Sequence, residues 1–216
     1  MRCEELLSRI RTAVYDKLSK ESTGHDFNHV ERVSRLAGYL AKENDADEFI
    51  CRAAGYLHDY CRPDERSLGQ LHYGNVSIAQ IAGVLEEIGV NADDMESILI
   101  CIAEHECYPH KGEPEASTIE SKILQDADRL DAVGAIGIAR TFMFTGAVDG
   151  MMFDPSADRK NTGCDTAIAY FYTMLLELPV HMYTPQAKQI AVKRKEFIKN
   201  YLEEFYDEWF LSEDLA

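Results

Sequence analysis

Polar side chains interrupt apolar helical patterns at three places in the sequence. His29 opens one pattern, His58 and Asp59 close another, and Asp128 lies within a third. Burying an imidazole or a carboxylate is costly unless the group is paired or binds a cation. Two imidazoles and two carboxylates without sulfur suit Mn, Fe, Mg or Ni better than structural zinc, which favours cysteine. Spacing alone also permits a simpler interpretation, in which the His-Asp pair forms a hydrogen bond at a helix end.

These residues lie in segments whose apolar residues have helical spacing. Five stretches with apolar residues three or four apart are residues 6–18, 30–40, 50–57, 76–88 and 95–102. A long apolar helix is then predicted from Ile119 to Arg140, and Asp128 lies within it. A metal site would therefore require three different helices to bring their polar residues together.

The remainder of the chain contains a polar stretch and two further predicted helices. Residues 145–165 are rich in Gly, Asp, Pro, Asn and Lys, and a loop of this length is usually functional or disordered. A short helix is predicted at about 167–176. The last helix begins at Thr184-Pro185, where a capping residue precedes a proline in the first turn. Because there is no β-rich block, the sequence predicts an all-α fold in one compact domain, residues 1–216.

The composition limits the class of protein. The chain has 216 residues, 46% of them hydrophobic, and a formal net charge of −16. This apolar content excludes a disordered acidic chain, and the negative charge disfavours a long nucleic acid as the partner. No stretch approaches the ~20 apolar residues of a membrane span, and the N-terminus lacks a signal peptide, so we expect a cytoplasmic protein without a membrane partner. The six cysteines include no Cys-x-x-Cys pair, and we expect reduced thiols.

Three short motifs resemble the H…HD…D signature of the HD-domain metal-dependent phosphohydrolases. They are residues 29–33 (HVERV), 57–59 (LHD) and 127–130 (ADRL). The longer run from Asp126 to Arg140 is similar to that of the stand-alone bacterial HD phosphohydrolases. The likeness extends from about Ser22 to Glu208.

The resemblance implies a compact multi-helix HD-domain bundle. Its metal core would lie at about residues 22–140, and its C-terminal helices at residues 166–210. Residues 145–165 would form a lid over the substrate, with disorder of this loop as the alternative.

The resemblance also implies roles for individual side chains. The expected ligands of a divalent ion, one or two per chain, are His29, His58, Asp59 and Asp128. The residues expected to orient these ligands are Asp126, Arg129 and Asp131. The residues expected to act in catalysis are His72, His105 and Arg140. The residues expected to contact the substrate are His25, Asp26, Arg159, Lys160 and Tyr170.

Several of these roles leave an alternative open. In HD proteins with two metal ions, histidines near the positions of His72 and His105 bind the second ion, whereas in proteins with one ion they approach the scissile phosphate. Either residue could instead be an ordinary core or surface histidine. Arg140 and, less favourably, Arg129 could bind a phosphate group, but each could equally pair with a nearby aspartate.

One helix departs from the pattern of the subgroup. The relatives carry His-Phe-x-x-Lys after the loop, whereas Tyr170 and Met174 occupy the aligned positions here. Two potential positive charges are therefore absent, which disfavours a polyphosphate substrate. This change favours a monophosphate substrate, a less charged ester or a loss of activity. The Tyr170 hydroxyl could still donate one hydrogen bond.

The sequence supports three hypotheses about function. The first is a hydrolase of a small phosphoester or nucleotide, in which a divalent ion lowers the pKa of bound water and contacts the phosphoryl group. The second is an HD-type di-iron oxygenase, in which His72 and His105 bind a second ion. The third is a catalytically silent ligand-binding domain. The sequence leaves open the substrate, the metal and the oligomeric state, including a homodimer.

Overall fold

A computed structural model describes residues 2–64, 75–107, 112–156 and 166–211. Over these residues the chain is helical, and the β-type pairing among them is a single bridge between Met151 and Thr166. The all-α prediction is confirmed. None of the helices in the described ranges is long and apolar enough to cross a bilayer.

The chain divides into two compact units, Met1–Asp128 and Arg129–Ala216. A single functional domain spanning residues 1–216 stays a prediction. Five cysteines in the described ranges are free thiols, as expected, and Cys164 lies outside these ranges.

The first unit contains the five helices that the apolar spacing predicts, together with most of a sixth. They are α1 (Arg2–Leu18), α2 (Phe27–Glu43), α3 (Glu48–Leu57), α4 (Asn75–Ile88), α5 (Ala92–Glu104) and α6 (Ile119–Asp131). Asp26, Asp47 and Asn91 cap α2, α3 and α5, because each side chain accepts a hydrogen bond from the backbone N–H three residues later. These caps define where α2 and α3 begin.

Gly55 allows α2 and α3 to approach closely. A Cβ atom at Gly55 would lie 2.8 Å from the Cα atom of Ser34, which is closer than packed atoms can come. The absent side chain therefore lets α3 lie directly on the backbone of α2. As a consequence, His29 near the start of α2 lies beside His58, which follows the last residue of α3.

The second unit is built from the helices that follow residue 129. They are α7 (Ala135–Ala147), α8 (Ala167–Tyr170) with a π-helical turn (Phe171–Leu175), a 3-10 turn (Leu178–His181) and α9 (Pro185–Phe210). The predicted start of the last helix is confirmed, because the Thr184 hydroxyl accepts a hydrogen bond from the backbone N–H of Ala187. Residues 157–165 of the predicted lid lie outside the described residues, and its role as a lid stays a prediction.

The prediction of one helix from Ile119 to Arg140 is wrong. Helix α6 ends at Asp131 and α7 begins at Ala135, because Gly134 between them has a φ of +83° that few other residues adopt. Gly137 is also required here, since a Cβ atom at that position would lie 2.1 Å from the carbonyl oxygen of Ala132. The apolar spacing continues across this corner, which is why the sequence pattern does not reveal it.

Candidate metal centre

The four predicted ligands converge in the first unit. Nε2 of His29 lies 3.2 Å from Nε2 of His58, 3.3 Å from Oδ2 of Asp59 and 3.4 Å from Oδ1 of Asp128. Nε2 of His58 lies 3.6 Å from the same oxygen of Asp59 and 3.7 Å from that of Asp128. Donor atoms about 2.1 Å from one ion lie roughly 3.0 to 3.5 Å apart in octahedral or tetrahedral arrangements. His29, His58 and Asp59 therefore each offer one ligand atom at mutual distances that suit a single divalent ion. An oxygen of Asp128 lies beside the two imidazoles.

Hydrogen bonds hold the two predicted histidine ligands, the first at its backbone and the second at its ring. The Asp26 carboxylate that caps α2 accepts from the backbone N–H of His29 at 2.9 Å. The Nδ1 atom of His58 lies 3.0 Å from the carbonyl oxygen of Gly55. Because a carbonyl only accepts, Nδ1 carries the proton, and a neutral His58 ring presents the lone pair of Nε2 to the cluster.

The protonation state of the buried groups also suits a cation. Burial lowers the pKa of His58 to about 4, although the carboxylates of Asp59 and Asp128 oppose this shift. For Asp59, burial raises the pKa, but the Arg62 guanidinium beside this carboxylate outweighs burial and holds the pKa well below its usual range. The lone pair of a neutral imidazole thus faces an ionised carboxylate oxygen. Two acceptors in contact repel each other, and a cation between them converts that repulsion into attraction.

Two other predicted residues of this unit flank the cluster. The imidazole of His105 is buried, with its ring centroid 5.3 Å from that of His58 and its Nδ1 atom 2.6 Å from the carbonyl oxygen of Ile102. The ring centroid of His25 is 5.8 Å from that of His29. Asp126, predicted to orient the ligands, is fully buried on α6. Their proposed catalytic, substrate-contacting and orienting roles stay predictions, and His72 lies outside the described residues.

The remaining predicted residues lie in the second unit. Arg140 donates to Oδ2 of Asp131 at 3.1 Å, which is one of the two arrangements that the sequence leaves open. Arg129 donates to the carbonyl oxygen of His181 at 2.8 Å. Tyr170 is exposed. Contacts of these residues with a substrate stay predictions, and Arg159 and Lys160 lie outside the described residues.

Three residues that support the cluster are absent from the sequence-based predictions. Arg62 donates to Asp59 at 2.8 Å and to Glu106 at 2.7 Å. Gln125 donates to the carbonyl oxygen of Glu104 at 2.6 Å, which connects α6 with the end of α5. An arginine one helical turn after a candidate ligand is the local pattern that could have identified Arg62.

The chain belongs to the HD-domain superfamily, because the HD domain family matches residues 26–133. It is 34% identical over 199 residues to YpgQ of Bacillus subtilis, an uncharacterized protein. The aligned region covers 90% of this chain and 89% of the relative. The crystal structure of YpgQ in complex with ADP is similar with a TM-score of 0.76, 31% identity and coverage of 96% and 97% of the two chains. An HD-superfamily hydrolase from Bacillus thuringiensis has a TM-score of 0.73, 33% identity and coverage of 96% and 98%.

Proposed function

We propose that this protein is a divalent-metal-dependent phosphohydrolase that cleaves a small phosphoester or a nucleotide. The observation that carries the proposal is the convergence of ligand atoms from His29, His58 and Asp59. An oxygen of Asp128 lies 3.4 Å from Nε2 of His29. Two relatives support it, since one is described as a hydrolase and YpgQ was crystallised with ADP. The relation to YpgQ favours a nucleotide among the candidate phosphoesters.

The side chains of the cluster differ in exposure, which indicates where a substrate could reach a bound ion. A divalent ion held there would polarise a phosphoryl oxygen and acidify a water molecule. His29, His58 and Asp59 are almost completely buried, whereas the side chain of Asp128 is 27% exposed. We therefore expect the phosphate group to approach past Asp128. His105 and His25 flank the ligands, and we assign to them the positioning of that phosphate.

The donor set also bears on the choice of ion. Two imidazoles and two carboxylates make a mixed nitrogen and oxygen set, which suits Mn²⁺ or Fe²⁺ and also admits Mg²⁺ or Ni²⁺. Mn²⁺ accepts both kinds of donor in a six-coordinate site, and we therefore propose it as the first ion for assays.

A hydrolysis assay tests this function. Wild-type protein freed of metal should release phosphate or pyrophosphate from p-nitrophenyl phosphate or from a panel of nucleoside mono-, di- and triphosphates only when Mn²⁺ is added. Asp59→Ala should lose this activity by at least about 100-fold, because loss of an outer-sphere partner alone costs 10- to 100-fold. The control is Asp64→Asn, which removes a carboxylate that pairs with Lys17 and is not among the predicted ligands, and it should retain activity.

Three outcomes would contradict the proposal. The first is an absence of Mn²⁺-dependent hydrolysis across the whole panel. The second is full activity of Asp59→Ala. The third is the binding of two irons per chain with oxygen consumption, which would favour the oxygenase hypothesis.

A further inference from the structure

Arg62 bridges two carboxylates that come from distant parts of the first unit. Its Nε atom donates to Oδ1 of Asp59 at 2.8 Å, and a terminal nitrogen donates to Oε1 of Glu106 at 2.7 Å. Glu106 lies 44 residues further along the chain, just after α5. The Arg62 side chain is only 17% exposed, so both ion pairs are partly shielded from water.

The two oxygens of Asp59 consequently have different environments. Oδ1 accepts the hydrogen bond from Arg62, whereas Oδ2 faces the Nε2 atoms of His29 and His58 at 3.3 and 3.6 Å. A carboxylate whose first oxygen is held by a guanidinium is restrained from rotating. Its second oxygen therefore points steadily at the position between the two imidazoles.

We infer that Arg62 is a positioning residue that makes Asp59 a one-oxygen ligand of the metal, and that Glu106 holds Arg62 in place. This inference rests on the proposed metal-dependent function. A guanidinium suits the task because its planar donors can engage two carboxylates at once, whereas the single ammonium of lysine is a point charge on a flexible stem. Because Glu106 follows His105 directly, the same bridge restrains the segment that carries the flanking imidazole.

The affinity for Mn²⁺, measured by titration calorimetry on the metal-free full chain, tests the inference. Arg62→Met keeps the length of the side chain but removes its donors, and it should weaken Mn²⁺ binding by about 10- to 100-fold. Arg62→Lys should recover part of this loss. Glu106→Gln should weaken binding less than Arg62→Met, and should add nothing further when combined with it, because both changes break one bridge.

A matched arginine elsewhere in the unit provides the control. Arg52 also pairs with two carboxylates, Glu4 at 2.9 Å and Glu48 at 3.5 Å, and its side chain is similarly shielded at 23% exposure. Arg52→Met should leave Mn²⁺ affinity unchanged, even where thermal unfolding shows that both methionine variants are less stable. A purely structural role for Arg62 would give the two variants the same affinity.

The outcomes separate this inference from the proposed function. If the wild-type protein binds no Mn²⁺, both are overturned. If the wild type binds Mn²⁺ and Arg62→Met binds it equally well, only the positioning role is overturned. If Arg62→Met does not fold, Glu106→Gln decides, since that side chain is one-third exposed and unchanged Mn²⁺ affinity in this variant would overturn the bridge.

Discussion

Asp59 in the first unit and Asp131 in the second are buried to the same extent, each 2% exposed, yet their surroundings differ. Asp131 accepts from Arg140 through Oδ2 at 3.1 Å. Asp59 accepts from Arg62 through Oδ1, while its Oδ2 faces two imidazole nitrogens. The first arrangement balances a carboxylate with a guanidinium. The second arrangement leaves Oδ2 of Asp59 facing two imidazole nitrogens, and these three atoms could bind one cation together.

This difference shows that two equally buried carboxylates can have different partners, so burial alone would not identify the proposed metal ligand. Both aspartates interrupt apolar helical segments in the sequence, and both could be counted as members of a metal site. Their partners differ, because Oδ2 of Asp131 pairs with Arg140, whereas Oδ2 of Asp59 faces the lone pair of a neutral His58.

Among the substitutions that follow from this comparison, we expect one at Asp131 to reduce stability most. Asp131→Asn should lower the free energy of unfolding by about 3 kcal/mol, because the substitution leaves the partly buried Arg140 without its anionic partner. Its affinity for Mn²⁺ should not change. Urea denaturation and calorimetry would measure the two quantities. A loss of Mn²⁺ affinity would show instead that Asp131 orients the ligands, as the resemblance implies.

The close approach of α2 and α3 predicts a smaller loss of stability at Gly55, together with weaker Mn²⁺ binding. Gly55→Ala should cost about 1 to 3 kcal/mol, because the new methyl group would overlap the backbone at Ser34. It should also weaken Mn²⁺ binding, since the shift separates His58 from His29. Denaturation and calorimetry would again provide both values.

Gly83→Ala is the matched control for Gly55→Ala. A Cβ atom at Gly83 in α4 would meet no atom within 4 Å, so alanine there should stabilise the protein by about 0.5 to 1 kcal/mol. Equal effects at the two glycines would contradict the packing explanation.

The smallest loss of stability is predicted at the cap of α9 in the second unit. Thr184→Ala should lower the free energy of unfolding by about 1 kcal/mol, because the Ala187 N–H would lose its hydrogen-bond acceptor. Thr184→Ser should retain most of that stability. Neither change should alter Mn²⁺ affinity in a calorimetric titration, and a change in affinity would contradict the distinction between the two regions.

Local patterns were enough to predict much of the fold. Helices α1 to α5 follow from their apolar spacing, and the start of α9 follows from Thr184-Pro185. Both features depend on residues a few positions apart. The corner at Gly134 was missed because it depends on a backbone angle and on the packing of Gly137, neither of which changes the apolar spacing.

The candidate site divides in the same way. His29, His58, Asp59 and Asp128 could be named from their motifs, because the motifs hold the ligand types themselves. The bridge from Arg62 to Glu106 spans 44 residues and becomes visible only when α3 and α5 are placed side by side. Likewise, the tautomer of His58 depends on the backbone carbonyl of Gly55, and every residue has such a group, so the sequence does not mark it.

The stoichiometry of Mn²⁺ binding in Asp59→Asn and Asp131→Asn tests the central claim most directly. Equilibrium dialysis followed by elemental analysis should find one Mn²⁺ per chain in the wild type and in Asp131→Asn, and none in Asp59→Asn. Retention of Mn²⁺ by Asp59→Asn, or its absence from the folded wild-type protein, would contradict the claim that the cluster around Asp59 is a metal site.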